Sequence, residues 1–208
     1  DETLARLPQL REELEVSTGT ARDWAYFSRW HYRSHAIGLV KFISLLWHGE
    51  RAVGICVFTC PPISLAGRRK YFGLQGRWSR LGMQALTRQV AMLSRVVLHP
   101  TYRGAGVAAA FVRKSCECCG LPWVEVLAEM GQIHPLFERA GFQRVGVAPR
   151  RKGSRRGHSA LYGARREGYG KKKIISAESF RKSQYSQPVY YIFDNRRNVA
   201  GGKGAEHE

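Results

Sequence analysis

The chain has 208 residues, 44% of them hydrophobic, with 34 lysine and arginine against 16 aspartate and glutamate side chains, a formal net charge of +18. It can bury one hydrophobic core, but it contains no apolar run of the roughly 18 residues that a transmembrane helix needs. A chain this basic is drawn to polyanions, and arginine, which forks onto phosphate, outnumbers lysine. We therefore expect a nucleic acid partner and no membrane.

The cysteines and the amino-terminal segment indicate the compartment. The five cysteines, three of them in Cys116-Glu-Cys118-Cys119, do not form the pattern of a disulfide framework. No second cysteine or histidine pair at ligand spacing supports a metal site, so no metal is expected. The start of the chain lacks the pattern of a signal peptide, and its first residue, Asp1, suggests a processed product or a piece of a longer chain. These features predict a cytoplasmic protein.

The first 20 residues are polar, with several leucines near one helical face, and predict an amphipathic helical extension (1–20). Thr20 is placed to cap a second helix, Ala21–Arg33, which carries Trp24, Phe27 and Trp30 on one side. We expect this helix to begin the folded core, 21–148.

Two strands, Phe42–Trp47 and Arg51–Cys60, are predicted to form a hairpin because Gly49 between them can adopt the positive φ of a tight turn. Residues 64–92 then mix basic and aromatic side chains. Such interleaving is typical of a surface that grips phosphates and stacks bases. An amphipathic helix with its charges in water explains it equally well. The residues assigned to nucleic acid here are Arg68, Arg69, Lys70, Arg77 and Arg80.

The most informative stretch is Ser94–Phe142. The apolar run Ser94–Leu98 predicts a strand, which His99-Pro100 ends because proline cannot donate to a ladder. The glycine-bearing turn Arg103–Ala108 leads from it into an apolar helical pattern. A strand that passes through glycines into a helix N-terminus aims successive backbone N–H groups at one point, which suits a phosphate or pyrophosphate.

The rest of the chain returns to strands around one basic segment. Trp123–Met130 predicts a strand, His134–Phe142 a short helix with a closing turn, and Gln143–Ala148 another strand. Residues 149–187 have too little apolar content to fold alone and predict a basic arm. The last core strand is expected at 188–196 and a disordered tail at 197–208. In the arm, Arg150, Arg151, Arg155 and Arg156 are expected to contact nucleic acid.

The motif R-x-x-G-x-A at Arg103–Ala108, followed by His134-Pro-Leu-Phe-Glu-Arg-Ala-Gly-Phe142, resembles the GNAT acyltransferases. The resemblance implies an α/β (α+β) fold with a mixed central sheet, splayed middle strands and flanking helices. It also implies acetyl-CoA or another acyl-CoA as cofactor, with a backbone N–H at Val97 or Leu98 polarising the thioester carbonyl. The loop residues that would hold the pyrophosphate are Arg103, Gly104, Ala105, Gly106, Val107 and Ala108.

An acyltransferase of this kind needs a base for the acceptor amine. Glu125 and Glu129 share one face if the strand alternates through both, and buried carboxylates at such a position are functional candidates unless arginine pairs with them. The tyrosine that protonates the leaving thiolate in many family members is replaced by Phe137. His134, one helical turn earlier, could substitute for it, or could simply pack or cap.

His31 and Tyr32 would face the acceptor side of a GNAT cleft, or pack with Trp30. With the two motif stretches, they look like a branch of GNAT domains fused to ABC-type ATPases and, distantly, the phage Mom DNA-modification proteins. That resemblance implies modification of an amine on nucleic acid, with DNA as the partner rather than RNA. It also implies a possible ATPase partner and, for a phage protein, the host cytoplasm. An N-acetyltransferase for a protein or small-molecule amine, and a non-catalytic nucleic-acid-binding module, are the alternatives.

Overall fold

The computed structural model describes residues 13–31, 37–148 and 187–202, and these form a seven-stranded mixed sheet. The strand order is β1-β2-β3-β4-β5-β7-β6, with β4 and β5 parallel and the other neighbours antiparallel. The strands are β1 Leu14–Thr18, β2 Val40–His48, β3 Arg51–Thr59, β4 Val90–Leu98, β5 Trp123–Ala128, β6 Gln143–Val147 and β7 Val189–Asp194. The predicted mixed sheet is confirmed.

Six helices flank the described sheet. They are α1 Trp24–Phe27, which continues into a 3-10 turn at Ser28–Trp30, α2 Ala66–Phe72, α3 Arg80–Gln89, α4 Ala108–Cys118, α5 Leu136–Arg139 and α6 Arg196–Gly202. Within the described ranges, none of these helices has the length and apolar character needed to cross a bilayer.

The two faces of the sheet bury different cores, because successive side chains of a strand point to opposite sides. On one face, Phe111 and Val112 of α4 pack on Phe58, Leu93 and other residues of the larger cluster. On the opposite face, Trp24 and Phe27 of α1 pack on the smaller cluster, which consists of Ile43, Leu45, Ile55, Val57 and Val97. Helices α4 and α1 therefore lie on opposite sides of the central strands.

The parallel ladder between β4 and β5 is short. It pairs Val90 with Trp123 and ends where Met92 pairs with Glu125, although β4 continues to Leu98 and β5 to Ala128. The antiparallel ladder of β3 and β4 shifts register at Ser94, between the pairs Val57–Arg95 and Phe58–Leu93. This irregularity bends β4 away at the point where β5 stops pairing with it. The splayed middle strands expected from the GNAT resemblance are confirmed.

Three predicted elements need correction. Residues 14–18 form a strand instead of the end of a helix, because β1 pairs along β2 from Leu14–His48 to Thr18–Ser44. The expected helix 21–33 is reduced to α1 and its 3-10 turn. Residues 197–202, expected in the tail, belong to α6. Residues 1–12, the remaining tail 203–208 and the basic arm except Gln187 lie outside the described residues.

The segment between β3 and β4 forms α2 and α3 and covers the sheet on the side opposite α4. Gly67 of α2 faces the ring of Tyr190, and an ideal Cβ at position 67 would stand 2.3 Å from Cγ of that ring. The Lys41 ammonium of β2 donates to the carbonyl oxygens of Thr87 and Val90, where α3 ends. A lysine at a helix C-terminus satisfies its last carbonyls and complements the dipole, so both ends of the segment are fixed to the sheet.

The variant Gly67→Ala should lower the free energy of unfolding by about 1–3 kcal/mol, because an overpacked contact forces either α2 or Tyr190 to shift. In a solvent-exposed helix, a change from glycine to alanine raises the free energy of unfolding. A decrease at position 67 would therefore be due to the close contact with Tyr190. Gly38→Ala is the control, since its nearest described neighbour, Cβ of Thr59, is 3.9 Å away. Urea unfolding of both variants measures the difference, and equal stability would contradict the close packing.

Candidate functional site

The glycine loop stands at the C-terminal end of β4 and leads directly into α4. Gly104 and Gly106 have φ of 86° and 74°, a left-handed conformation that side chains rarely adopt. No described atom lies within 4 Å of where a Cβ on Gly104 would stand, so the backbone there is open to a ligand. The Phe111 N–H donates to Val107 O at 3.0 Å, and helix geometry leaves the preceding N–H groups of the first turn without intrahelical acceptors. The loop therefore fits an anion such as a pyrophosphate.

The Arg103 side chain, which was predicted to help bind the cofactor, makes two hydrogen bonds within the protein. Its Nε donates to Leu98 O at 3.2 Å and its Nη2 donates to Trp30 O at 3.3 Å. Both acceptors are backbone carbonyls, one at the end of β4 and one in the 3-10 turn after α1. Arg103 therefore joins the loop to the α1 side of the sheet, and the backbone of the loop remains its anion-binding part.

The register of β4 decides which N–H groups face the opening between β4 and β5. The His99 N–H donates to Val53 O at 2.8 Å, so the N–H groups of His99 and, by alternation, of Val97 point toward β3. Leu98 and Val96 then direct their N–H groups away from β3, toward the opening. Two residues were predicted to donate an N–H to the thioester carbonyl. The N–H of Leu98 points toward the opening, and that of Val97 does not. Val96 was missed, and only the observed register identifies it.

Glu125 is not placed to act as a base. It is 0% exposed, and Arg68 Nε and Tyr190 hydroxyl donate to its Oε2 at 2.9 and 2.8 Å. Arg68 Nη2 donates to Oε1. Burial first, and the Glu125 charge second, raise the pKa of Tyr190 above its ordinary value, so its phenol stays a donor. Both oxygens of Glu125 are thus occupied, which corrects its prediction as a catalytic residue.

The same contact corrects the prediction for Arg68. Its side chain is 1% exposed, and its third hydrogen bond goes from Nη1 to Ile63 O at 3.2 Å. A guanidinium in this position cannot reach a nucleic acid backbone. Arg69 of α2 donates to Leu74 O and Gly76 O in the loop that follows the helix. Lys70, Arg77 and Arg80 are exposed, as a phosphate-binding role requires.

The other two catalytic candidates of this region, Glu129 and His134, and Phe137 follow β5 in the chain. Glu129 follows the end of β5 and is half-buried, so the strand alternation used to predict its face does not extend to it. His134 is exposed in the turn before α5, and its N–H donates to Met130 O at 2.9 Å. Phe137 packs against Phe142 and Tyr191 with ring centroids 5.5 and 5.6 Å apart.

The histidine predicted on the acceptor side is buried. His31 is 7% exposed and packs edge-on against Trp24, with ring centroids 5.6 Å apart. The histidine therefore packs in an aromatic cluster, as the alternative expected, but its ring contact is with Trp24 instead of Trp30. Tyr32, Arg150, Arg151, Arg155 and Arg156 lie outside the described residues.

A positively charged cluster borders the loop on the α1 side. His99 contacts the Trp30 ring at a centroid distance of 4.7 Å, and Arg51 Nη2 lies 3.0 Å from His99 Nε2. Burial, followed by the charges of Arg51 and Arg103, lowers the pKa of His99 below its ordinary value. A neutral imidazole beside two guanidinium groups keeps this edge of the sheet positive without adding a third charge.

No protein-family model matches the chain, and no curated protein sequence matches it. Among solved structures, spermidine/spermine N-acetyltransferase SpeG from Vibrio cholerae in complex with manganese ions is similar, with a TM-score of 0.52 and 10% identity over 92% of this chain and 98% of SpeG. The YhbS protein of Escherichia coli in complex with CoA, a GNAT family N-acetyltransferase, gives 0.49 and 12% over 91% and 86%. The ribosomal-protein-S18-alanine N-acetyltransferase of Escherichia coli gives 0.42 and 14% over 86% and 90%. The chain has the GNAT fold.

Replacing Arg68 with alanine should lower the free energy of unfolding by about 3–5 kcal/mol, because a buried carboxylate loses its countercharge. Lys70→Ala, an exposed change on the same helix, serves as the control and should be nearly neutral. In denaturant titrations, Arg68→Met combined with Glu125→Leu should cost less than the sum of the single changes. Additive costs would show that the two side chains do not interact.

Proposed function

We propose that the chain is an acyl-CoA-dependent N-acyltransferase. The observation that carries the proposal is the position of the glycine loop. Two glycines in left-handed conformation lead into the N-terminus of α4, beside the opening between β4 and β5. The loop backbone, from Gly104 to Ala108, would hold the pyrophosphate of CoA through N–H groups and the dipole of α4.

When bound, acyl-CoA supplies an activated thioester carbonyl. The chain contributes the N–H groups of Val96 and Leu98, which face the opening and can stabilise the charge that develops on a carbonyl oxygen there. Glu129 and His134 lie on the β5 side of the opening and are the proposed proton acceptor and donor. Phe137 has no proton to give, so the acid must be another group, and His134 is exposed nearby in sequence.

We further propose that the acceptor amine lies on nucleic acid, as in modification of a DNA base. The net charge of +18 and the exposed Lys70, Arg77 and Arg80 support this choice. SpeG and the S18 enzyme are named for a polyamine and a protein amine, which keeps a small-molecule or protein acceptor as the second candidate. Because Phe137 stands where many GNAT enzymes have a tyrosine, a non-catalytic nucleic-acid-binding module is the third candidate.

The proposal also includes the cellular compartment of the reaction and a possible partner. All five cysteines are unpaired, as expected in a reducing compartment, and we place the activity in the cytoplasm or, for a phage protein, the host cytoplasm. The ATPase partner and the kinship with Mom proteins stay predictions, and a pull-down from cells that express the tagged chain would test the partner.

Gly106→Val should weaken CoA binding at least about tenfold, because the left-handed backbone of the loop is lost to a β-branched residue. Gly120→Val is the matched control, since Gly120 has φ of 69° at the opposite end of α4. Isothermal titration with CoA measures both, and circular dichroism verifies folding. Equal affinities in the two variants would contradict the assignment of the loop.

Nucleosides from DNA and RNA of cells that express the chain should carry a new acyl adduct that disappears with Gly106→Val. Mass spectrometry identifies the adduct and gives the transferred group. In parallel, labelled acetyl-CoA is supplied to the purified chain with oligonucleotide, protein extract or spermidine. Label on protein or spermidine alone would move the function to the second candidate, and CoA binding without any transfer would favour the third.

A further inference from the structure

A small pocket lies where α2 is followed by α3. Its volume is about 120 Å³, and its wall includes Arg69 of α2, Arg77 and Trp78 of the connecting loop, and Gly82 in the first turn of α3. None of the residues that line it is acidic. Pockets that enclose a whole small molecule usually measure about 300–1,000 Å³. This one therefore has room for a single group of a larger ligand.

The aromatic part of the wall is the half-buried side chain of Trp78. An ideal Cβ on Gly82 would stand 3.2 Å from Cε3 of the indole, so a glycine here lets the first turn of α3 support the ring closely. In the described part of the chain, no other ring packs on Trp78 and its Nε1 makes no hydrogen bond. The other four tryptophans differ, because Trp24, Trp30 and Trp123 contact other rings and Trp47 Nε1 donates to Ser17. The Trp78 indole can therefore take a planar group from a ligand.

Two arginines line the same pocket as the indole. Arg69 is half-buried, and its Nε and Nη2 donate to Leu74 O and Gly76 O at 3.4 and 2.5 Å, which holds the guanidinium in the wall. Both acceptors are neutral carbonyls, so these bonds leave the positive charge in place. Arg77 is exposed beside it. The sequence has no aspartate or glutamate from position 51 to 116, so the surrounding segment adds no competing carboxylate. An anion next to a planar group suits this pocket.

We propose that the pocket binds an unpaired nucleotide of a single-stranded nucleic acid. The base stacks on Trp78, and the adjoining phosphates contact Arg77 and Arg69. In a duplex each base is already stacked on its neighbours, whereas a single strand can turn a base face toward a protein ring. The inference rests on the nucleic acid acceptor of the proposed function and not on acyl transfer. It names a single strand as the form of that acceptor.

The proposal is tested by equilibrium binding to the full chain, measured by fluorescence anisotropy. The probes are labelled oligothymidylate, oligouridylate and a blunt duplex of the same length, at one salt concentration. Trp78→Ala should lower the affinity for the single strands about tenfold, the usual effect of removing one stacked aromatic ring, and should leave the duplex affinity nearly unchanged. Trp78→Phe should keep most of the single-strand affinity because it retains a ring. Circular dichroism verifies that each variant is folded.

Salt dependence separates the arginine from the indole. Arg77→Gln should reduce the slope of log affinity against log salt for the single strands by about 0.7, as expected when one phosphate contact is lost. Trp78→Ala should leave that slope unchanged, since stacking releases no counterions. Arg113→Gln is the matched control. It removes the charge of an exposed arginine on α4, on the opposite face of the sheet, and should change neither affinity nor slope.

Several results would overturn the proposal. One is an unchanged single-strand affinity in Trp78→Ala, and another is an equal loss for single strand and duplex. A third is competition by polyglutamate as strong as that by an unlabelled oligonucleotide, because charge alone would then explain the binding. Preference for oligothymidylate or oligouridylate supports the proposal and identifies DNA or RNA. Binding that depends on Trp78 in a chain that fails to bind CoA would retain this inference and reject the acyltransferase. Acyl transfer without such binding would do the reverse.

Discussion

A buried ion pair connects the inserted segment to the middle of the sheet. Arg68 of α2 and Glu125 of β5 are 1% and 0% exposed, and the Tyr190 hydroxyl completes the contact from β7. Two charges in such a place are tolerated only while they neutralise each other. The segment between β3 and β4 is therefore an integral part of the fold. Gly67 makes this possible, because α2 must approach the Tyr190 ring more closely than any side chain at that position would permit.

The contact also determines where the site can form. Glu125 is the last residue of β5 that pairs with β4, so α2 holds β5 at the point where the two strands begin to separate. On one side of that opening are the loop and α4, and on the other are α1 and α2. Under the proposed function, the cofactor and the acceptor would approach from these opposite faces and meet between the strands.

Local patterns predicted the parts of this architecture that depend on local chemistry. The sequence predicted the hairpin at Gly49, with φ of 56°, and the glycine loop, because a backbone with positive φ favours glycine. The strand β1 was not, because Leu14 continues the helical spacing of Leu4, Leu7 and Leu10, and only the pairing with β2 shows that it belongs to a strand. Arg68 was assigned to the surface for a related reason. It stands in a basic run, and its partner is 57 residues away in the sequence.

Under the proposed function, the site needs a proton donor for the leaving thiolate, and the tyrosine expected for this role is replaced by Phe137. Among the residues that the structure describes, Tyr191 packs its ring against Phe137, and its hydroxyl lies 2.9 Å from Gly131 O and 2.7 Å from Glu138 Oε1. Burial, with the Glu138 contact, raises the pKa of Tyr191 to about 12. The Tyr191 hydroxyl proton is hydrogen-bonded inside the core. Tyr191 therefore packs against Phe137 and does not take over the role of the missing proton donor. Under the proposed function, His134, which is exposed, is the proposed proton donor for the leaving group. The proposed acid and base both follow the end of β5, and the proposed backbone donors are on β4.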